Sequence, residues 1–297
     1  MNLDLYKAFY YVAKYGSISK ASEYLYITQP AVSRAIKQLE DSLECPLFFR
    51  TPKGTKLSKE GEILHKYIEQ AFNFITMGEK KINDVKNLLC GEIKIGVSDT
   101  LCKYYLVSYL KLFKIIYPKI KIHVICPTTP GIINLLKFGK IDFGIINMPY
   151  FDNQLDFKNI MEVQDCFITG EKYRHLSYKM QPLYEIVNYP LILLERNSNS
   201  RLYIDKYFAN NSVCVVPDFE LGNIDLLIHF AKNDFGIACV IRNFIEEELD
   251  NGRVYEVKPI EKIPPRNIGI CWLKDVPLSS AAKELINHLD YCEVTEF

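Results

Sequence analysis

The sequence predicts an α plus α/β architecture: an N-terminal winged helix-turn-helix, a long linker helix, and then a two-lobed α/β domain. Three observations predict it. The first 58 residues read as short helices joined by small-residue turns, residues 59–89 carry apolar side chains at alternating spacings of four and three, and strand and helix patterns alternate from Gly91 onward. A chain of 297 residues has room for about two domains.

Composition narrows the class. Hydrophobic residues make up 48% and charged residues 24%, a globular balance that excludes disorder and collagen-like structure. No apolar run approaches the ~18 residues of a membrane span, so no membrane partner is expected. Charge already appears in Met1–Lys7, where an export signal would be apolar, so export is not expected and a cytoplasmic location is. Nine scattered cysteines without a C-x-x-C pair fit reduced thiols better than a disulfide framework. His65, His123, His175, His229 and His288 stand far apart without ligand spacing, so neither a metal nor any cofactor is expected. The 36 basic and 36 acidic residues cancel overall, yet residues 1–60 hold nine Lys/Arg against six acids. A local excess of this kind suits a polyanion despite zero net charge.

Taken in order, Leu5, Phe9, Val12 and Ala13 form one helical stripe that Gly16-Ser17 ends. A second short helix from about Ile18 to Leu25 buries Ala21 and Leu25. Thr28 can then cap a third helix with Pro30 in its first turn. In that helix Val32, Ile36 and Leu39 face inward, leaving Gln29, Pro30, Ser33, Arg34, Lys37 and Gln38 outside, with no acid before Glu40. Amides and cations on an exposed face suit the major groove, where Gln pairs with adenine and Arg with guanine. An ordinary amphipathic surface helix is the alternative. Leu47-Phe48-Phe49 anchors a following turn whose Arg50, Lys53 and Lys56 read as a basic wing for phosphates. Leu64, Ile68, Ala71, Ile75, Gly78, Ile82, Val85 and Leu89 then make a heptad seam on one helix about 45 Å long, which proposes a dimer.

Beyond Gly91, strands are expected at 92–97, 121–126, 141–147, 162–169, 190–194, 213–219, 236–240, 254–257 and 267–273. Helices are expected near 101–116, 130–138, 201–209, 224–232, 243–250 and 279–289. Such alternation implies a mainly parallel sheet flanked by helices, and about 200 residues of it implies two lobes with a cleft.

Residues 1–65 closely resemble the N-terminal domain of LysR-type transcriptional regulators. The resemblance rests on Phe9–Ala13, Gly16–Ser22, Thr28–Arg34, Ile36–Glu40, Pro46–Phe48, Arg50-Thr51 and Leu57–Gly61, with one departure at Glu44, where the family usually has glycine. Asn197–Arg201 and Ile228–Ala238 look like landmarks of the family's ligand domain. The resemblance implies a DNA-binding domain over 1–58, a linker helix over 59–90 and an effector domain over 91–297. That domain would resemble type 2 periplasmic binding proteins, with lobe I at about 91–161 and 264–297, lobe II at about 162–263, and Pro264-Pro265 at the return hinge. It further implies a homotetramer on double-stranded promoter DNA, a small-molecule effector between the lobes, and RNA polymerase as a further partner.

Ligands of parallel α/β sheets sit at the carboxyl ends of the strands. Ser98-Asp99-Thr100 and Thr128-Thr129 open helices there, Asn147 ends the third strand, and Ser198 and Ser200 precede a lobe-II helix. Hydroxyls and free N–H groups at helix starts suit a small carboxylate, the alternative for each being simple capping. Asp99 either pairs with a ligand ammonium or caps its helix. Cys102 raises redox sensing, but the lobe-II loop that holds the second cysteine in the family's peroxide sensors carries Ser198 and Ser200, so Cys102 reads as a small hydrophobe. No G-x-G-x-x-G, Walker, H-E-x-x-H or G-x-S-x-G motif is present, and no enzymatic activity is expected. A ligand-binding protein without promoter activity is the competing reading.

Overall fold

A computed structural model describes residues 2–51, 54–86 and 91–291. The chain divides into two compact units, Met1–Lys80 and Lys81–Phe297.

The first unit opens with α1 (Leu3–Tyr15), started by the Asn2 side chain accepting the Asp4 N–H and closed by left-handed Gly16. Ser17 caps α2 (Ile18–Leu25) by accepting the Lys20 N–H. Thr28 stands at the N-cap position of α3 (Gln29–Leu43) but makes no side-chain cap bond, contrary to expectation. Pro30 has no N–H to offer, and the Ala31 N–H donates to the Thr28 carbonyl instead, at 3.0 Å. Glu44 closes α3 in the left-handed region at φ 54°, a conformation that favours glycine. Phe9, Val12, Ala21, Val32, Ile36, Leu39 and Leu47 bury the core between these helices. Each large side chain among them contributes roughly 1.5–3 kcal/mol relative to exposure.

The wing is an antiparallel pair, β1 (Phe48–Thr51) and β2 (Gly54–Leu57). It is tied to the helices twice. The Glu40 carboxylate accepts the Leu47 and Phe48 N–H groups at 2.7 and 3.2 Å, and the Thr55 N–H donates to the Gly16 carbonyl at 3.0 Å. Gly54, at φ +124°, passes so close to Gly16 that a Cβ would sit 2.5 Å from its carbonyl oxygen. The Ser58 hydroxyl accepts the Gly61 N–H at 2.9 Å at the start of α4 (Lys59–Lys86). The expected seam on α4 divides. Leu64 and Ile68 pack against the first unit's core, whereas Ala71, Ile75, Gly78 and Ile82 are exposed. Leu89 lies outside the described residues.

The second unit holds β3 (Glu92–Val97), α5 (Asp99–Leu101), which runs through a π turn at Cys102–Leu106 into α6 (Val107–Ile116), then β4 (Lys121–Ile125), α7 (Thr129–Lys137), β5 (Phe143–Asn147) and β6 (Leu155–Val163). After these come β7 (Asp165–Thr169), α8 (Leu183–Ile186), β8 (Leu191–Leu194), α9 (Asn199–Asn210), β9 (Phe219–Leu221), α10 (Ile224–Lys232), β10 (Ile237–Ile241), α11 (Glu246–Asp250), β11 (Tyr255–Val257), β12 (Arg266–Leu273) and α12 (Ser280–Tyr291). Two five-stranded sheets result, β4-β3-β5-β12-β6 in the first lobe and β11-β7-β10-β8-β9 in the second.

Several expectations need correction. The sheets are mixed rather than mainly parallel: β12 returns from the second lobe and lies antiparallel to both β5 and β6, and β7 lies antiparallel to β10 and β11. The single strand expected over 162–169 is the end of β6 and all of β7, divided at Gln164 where the chain changes sheets. Most of β6 escaped notice because a register shift skips Ile160 and spoils its alternation. The strand expected over 213–219 begins only at Phe219, since Pro217 supplies no N–H to a ladder.

Candidate functional site

Two surfaces bring the expected residues together, one in each unit. In the first unit α3 turns Val32, Ile36 and Leu39 into the core and leaves Thr28, Gln29, Pro30, Arg34 and Lys37 exposed, with Ser33 half-buried. Because the Thr28 hydroxyl takes no part in capping, this helix start presents a hydroxyl, an amide and two cations without an acid. On the wing, the Lys56 side chain is exposed on β2 and Arg50 belongs to β1, while Lys53 lies outside the described residues. An acid-free helix face carrying Gln29, Arg34 and Lys37, together with the cation Lys56 on the wing, offers hydrogen-bond donors and positive charge to a polyanion.

In the second unit a cavity of about 120 Å³ opens between the two sheets, room for a ligand on the order of ten non-hydrogen atoms. Ser98, Asp99, Thr100, Thr128, Thr129, Asn147, Ser198 and Ser200 all line it. Four helix starts converge there, those of α5, α7, α9 and α10. The Ser98, Ser198 and Asn223 side chains cap their own helices by accepting the Leu101, Arg201 and Leu226 N–H groups. Thr128 makes no such bond. Its hydroxyl and the amides opening α7 therefore present the least committed donors of the wall.

The strongest electrostatic feature lies behind that wall, and the sequence reading missed it. Arg266, at the start of β12, is buried and grips the Asp165 carboxylate with Nε and Nη2. Its Nη1 also donates to Asn147 Oδ1 at 2.7 Å, and its Nη2 to Ser200 Oγ at 3.2 Å. Asn147 belongs to the first lobe, Ser200 to the second, and Asp165 and Arg266 to the two strands that begin where the chain crosses between them. One guanidinium thus fastens both lobes at the hinge and occupies two of the expected ligand groups, Asn147 and Ser200. Asp165 also lines the cavity. The available signal was an acid in the apolar run Val163–Ile168 and an arginine opening the apolar run Arg266–Cys271. Arg201, also buried at the cavity wall, is matched by Asp205 at 2.7 Å, Glu220 at 3.1 Å and the Leu194 carbonyl at 2.6 Å. Neither Arg201 in the wall nor Arg266 behind it is left without an acid.

A second contact joins the lobes at the rim. The Lys103 ammonium and the Tyr104 hydroxyl both donate to Asp225 Oδ1 at 2.6 Å, and the Tyr104 ring stacks on Phe244 at 5.2 Å. Partial burial works against ionisation of Asp225, but these two donors outweigh it and hold the carboxyl below its usual range. Nearby, the Cys126 thiol lies at the cavity wall. Burial, then the charges of Cys102 and Asp99, pushes it up to about 12.

Comparison with known proteins places these features. The model described as "LysR substrate binding domain" matches residues 86–292, and that described as "Bacterial regulatory helix-turn-helix protein, lysR family" matches residues 3–62. The HTH-type transcriptional regulator CysL of Bacillus subtilis is 24% identical over 249 residues, covering 84% of this chain and 83% of CysL. Two solved Pseudomonas aeruginosa structures share the fold. HinK, a LysR family transcriptional regulator, has TM-score 0.61 and 22% identity over 98% of each chain. A full-length OxyR variant has TM-score 0.71 and 17% identity, covering 99% of this chain and 96% of that one.

Proposed function

The chain belongs to the LysR family of bacterial transcriptional regulators, and on that footing we propose that it is an oligomeric reader of promoter DNA, acting in the cytoplasm and gated by a small zwitterion. The observation that carries the DNA reading is the acid-free exposed face of α3 opposite the buried Val32, Ile36 and Leu39. Gln29, Pro30, Ser33 and Arg34 meet base edges, Thr28 and Lys37 border them, and Arg50, Lys53 and Lys56 neutralise phosphates on either side. The exposed Ala71, Ile75 and Ile82 on α4 are the stripe that a second copy covers, which presents two heads to one duplex. Four such chains form the full assembly, and RNA polymerase is the partner through which promoter occupancy reaches transcription. The protein binds and releases; it does not turn a substrate over.

Four converging helix starts support the effector reading. They supply partial positive charge and free N–H groups to an anion such as a carboxylate, around Ser98, Thr100, Thr128, Thr129 and Ser198. Arg201 in the wall and Arg266 behind it are already neutralised by acids, so the anion is held by dipoles and hydroxyls. Asp99 then stands ready for an ammonium on the same molecule, which favours an amino acid-like effector. Binding at the lobe junction, beside Asn147 and Ser200 on Arg266, biases lobe closure and so the population of DNA-binding geometries.

Fluorescence anisotropy on upstream duplexes over a salt series tests the reading. Arg34→Ala is expected to cost roughly 1–3 kcal/mol on the specific duplex and little on random sequence. Lys56→Ala is expected to weaken all duplexes alike and to reduce the salt slope by about one unit. Unchanged affinity and slope in both variants would refute it.

A further inference from the structure

We propose that the second lobe supplies a subsite for an uncharged aliphatic tail, so that the effector is a free α-amino acid with a short apolar side chain, of the kind leucine, valine and methionine carry. This rests on the zwitterion reading above, in which the head group lies against the first lobe.

The two lobes line the cavity with different chemistry. Leu193, Leu194, Ile204, Ile224, Val240 and Ile241 line it from β8, α9, α10 and β10, all in the second lobe. The first lobe contributes no Leu, Ile or Val to the described wall and brings Asp99, Thr128 and Thr129 instead. Thr129 is only 4% exposed, and no protein partner for its hydroxyl is found among the described residues. A buried hydroxyl of this kind calls for a polar group on whatever fills the cavity.

The polar side chains of the second-lobe wall already have partners inside the protein. Ser198 and Asn223 cap α9 and α10. Asn199 donates to the Asn147 carbonyl, and Ser200 accepts from Arg266. Arg201 is held by Asp205 and Glu220, and Asp165 by Arg266. What the second lobe presents over and above these pairs is aliphatic surface.

Charge and size then limit the tail. Of the charged residues lining the described wall, Asp165 and Arg201 are matched, which leaves Asp99 for one ammonium. A third charge on the effector would lose its water against aliphatic side chains and find no counter-ion there. The cavity takes on the order of ten non-hydrogen atoms, and an α-amino acid head uses about five, so about five remain for the side chain. An effector that spans from Thr128 and Thr129 to Leu194 and Ile224 touches both lobes at once, which couples its tail to lobe closure.

The test is calorimetric titration of the full chain with L-leucine, L-valine, L-alanine, L-aspartate, L-lysine, 4-methyl-2-oxopentanoate and 3-methylbutylamine. Affinity is expected to rise about fourfold per added carbon from alanine through valine to leucine. Aspartate, which matches leucine in size, and lysine are expected to bind at least about tenfold more weakly than leucine. Aspartate or lysine binding as tightly as leucine would overturn the aliphatic subsite and leave the head-group reading standing. The oxo acid or the amine binding as tightly as leucine would overturn the head-group reading instead. Binding of none of the seven would overturn both. Leu194→Ala, at the least buried of the six aliphatic positions, is expected to weaken leucine by about four- to tenfold and leave alanine unchanged. If that variant lacks a native thermal transition, Val240→Ala replaces it. Equal leucine affinity in parent and variant would overturn the placement of the tail on the second lobe.

Discussion

Arg266→Met is the substitution that most directly tests how the two lobes are fastened. Met keeps much of the aliphatic volume but removes the guanidinium, its two bonds to Asp165 and its bonds to Asn147 and Ser200. What remains is an ionised carboxylate only 4% exposed with no cation against it. Two unit charges 4 Å apart attract by roughly 4 kcal/mol at an effective dielectric of 20. Breaking a buried pair from one side costs about 3–5 kcal/mol, because the surviving charge is left uncompensated. For a unit of this size each kcal/mol lowers the melting temperature by about 2–4 °C, so a fall of roughly 6–20 °C is expected by calorimetry or circular dichroism. Adding Asp165→Asn to Arg266→Met removes the stranded charge and should recover at least about half of the loss, a coupling that a double-mutant cycle measures. A loss below about 1 kcal/mol, or no recovery in the double variant, would show that the pair does not fasten the hinge.

Three further outcomes follow from named contacts. Glu40→Ala strands the Leu47 and Phe48 N–H groups and should destabilise the first unit by about 2–3 kcal/mol in urea melts, with Glu40→Gln milder. Gly54→Ala meets both a φ of +124° and the Gly16 carbonyl; proteolysis at the wing should accelerate, and an unchanged cleavage rate would contradict the close approach. Asp225, whose carboxyl is held below its usual range, contributes stability above the ordinary carboxylate value near pH ~3.9 and loses it as pH falls through the lowered one. The stability gap between the unsubstituted chain and Asp225→Asn, at most about 1 kcal/mol for so exposed a pair, should be flat above about pH 5 and shrink in stronger acid.

What the sequence revealed and what it hid divide along physical lines. The face of α3 was legible because Val32, Ile36 and Leu39 repeat at helical spacing, and everything left over must face outward. The cavity residues were legible because Ser, Thr and Asn mark helix starts, and strand ends at one edge of a sheet bring those starts together. Arg266 and Asp165 stand 101 residues apart, so no local period announces their pairing; only the oddity of a charge in an apolar run could have. Strand direction was hidden too, since β12 carries the residues of a core strand whichever way it runs. The cap expected from Thr28 failed on one local detail, the missing N–H of Pro30.

The most direct test of the central claim is selection from a random duplex library on the immobilised full chain, run in parallel with Arg34→Ala. The account predicts enrichment of a dyad-symmetric sequence by the unsubstituted chain and relaxation of specific positions within each half-site by the variant. Recovery of an unbiased library, or the same motif from both proteins, would contradict it.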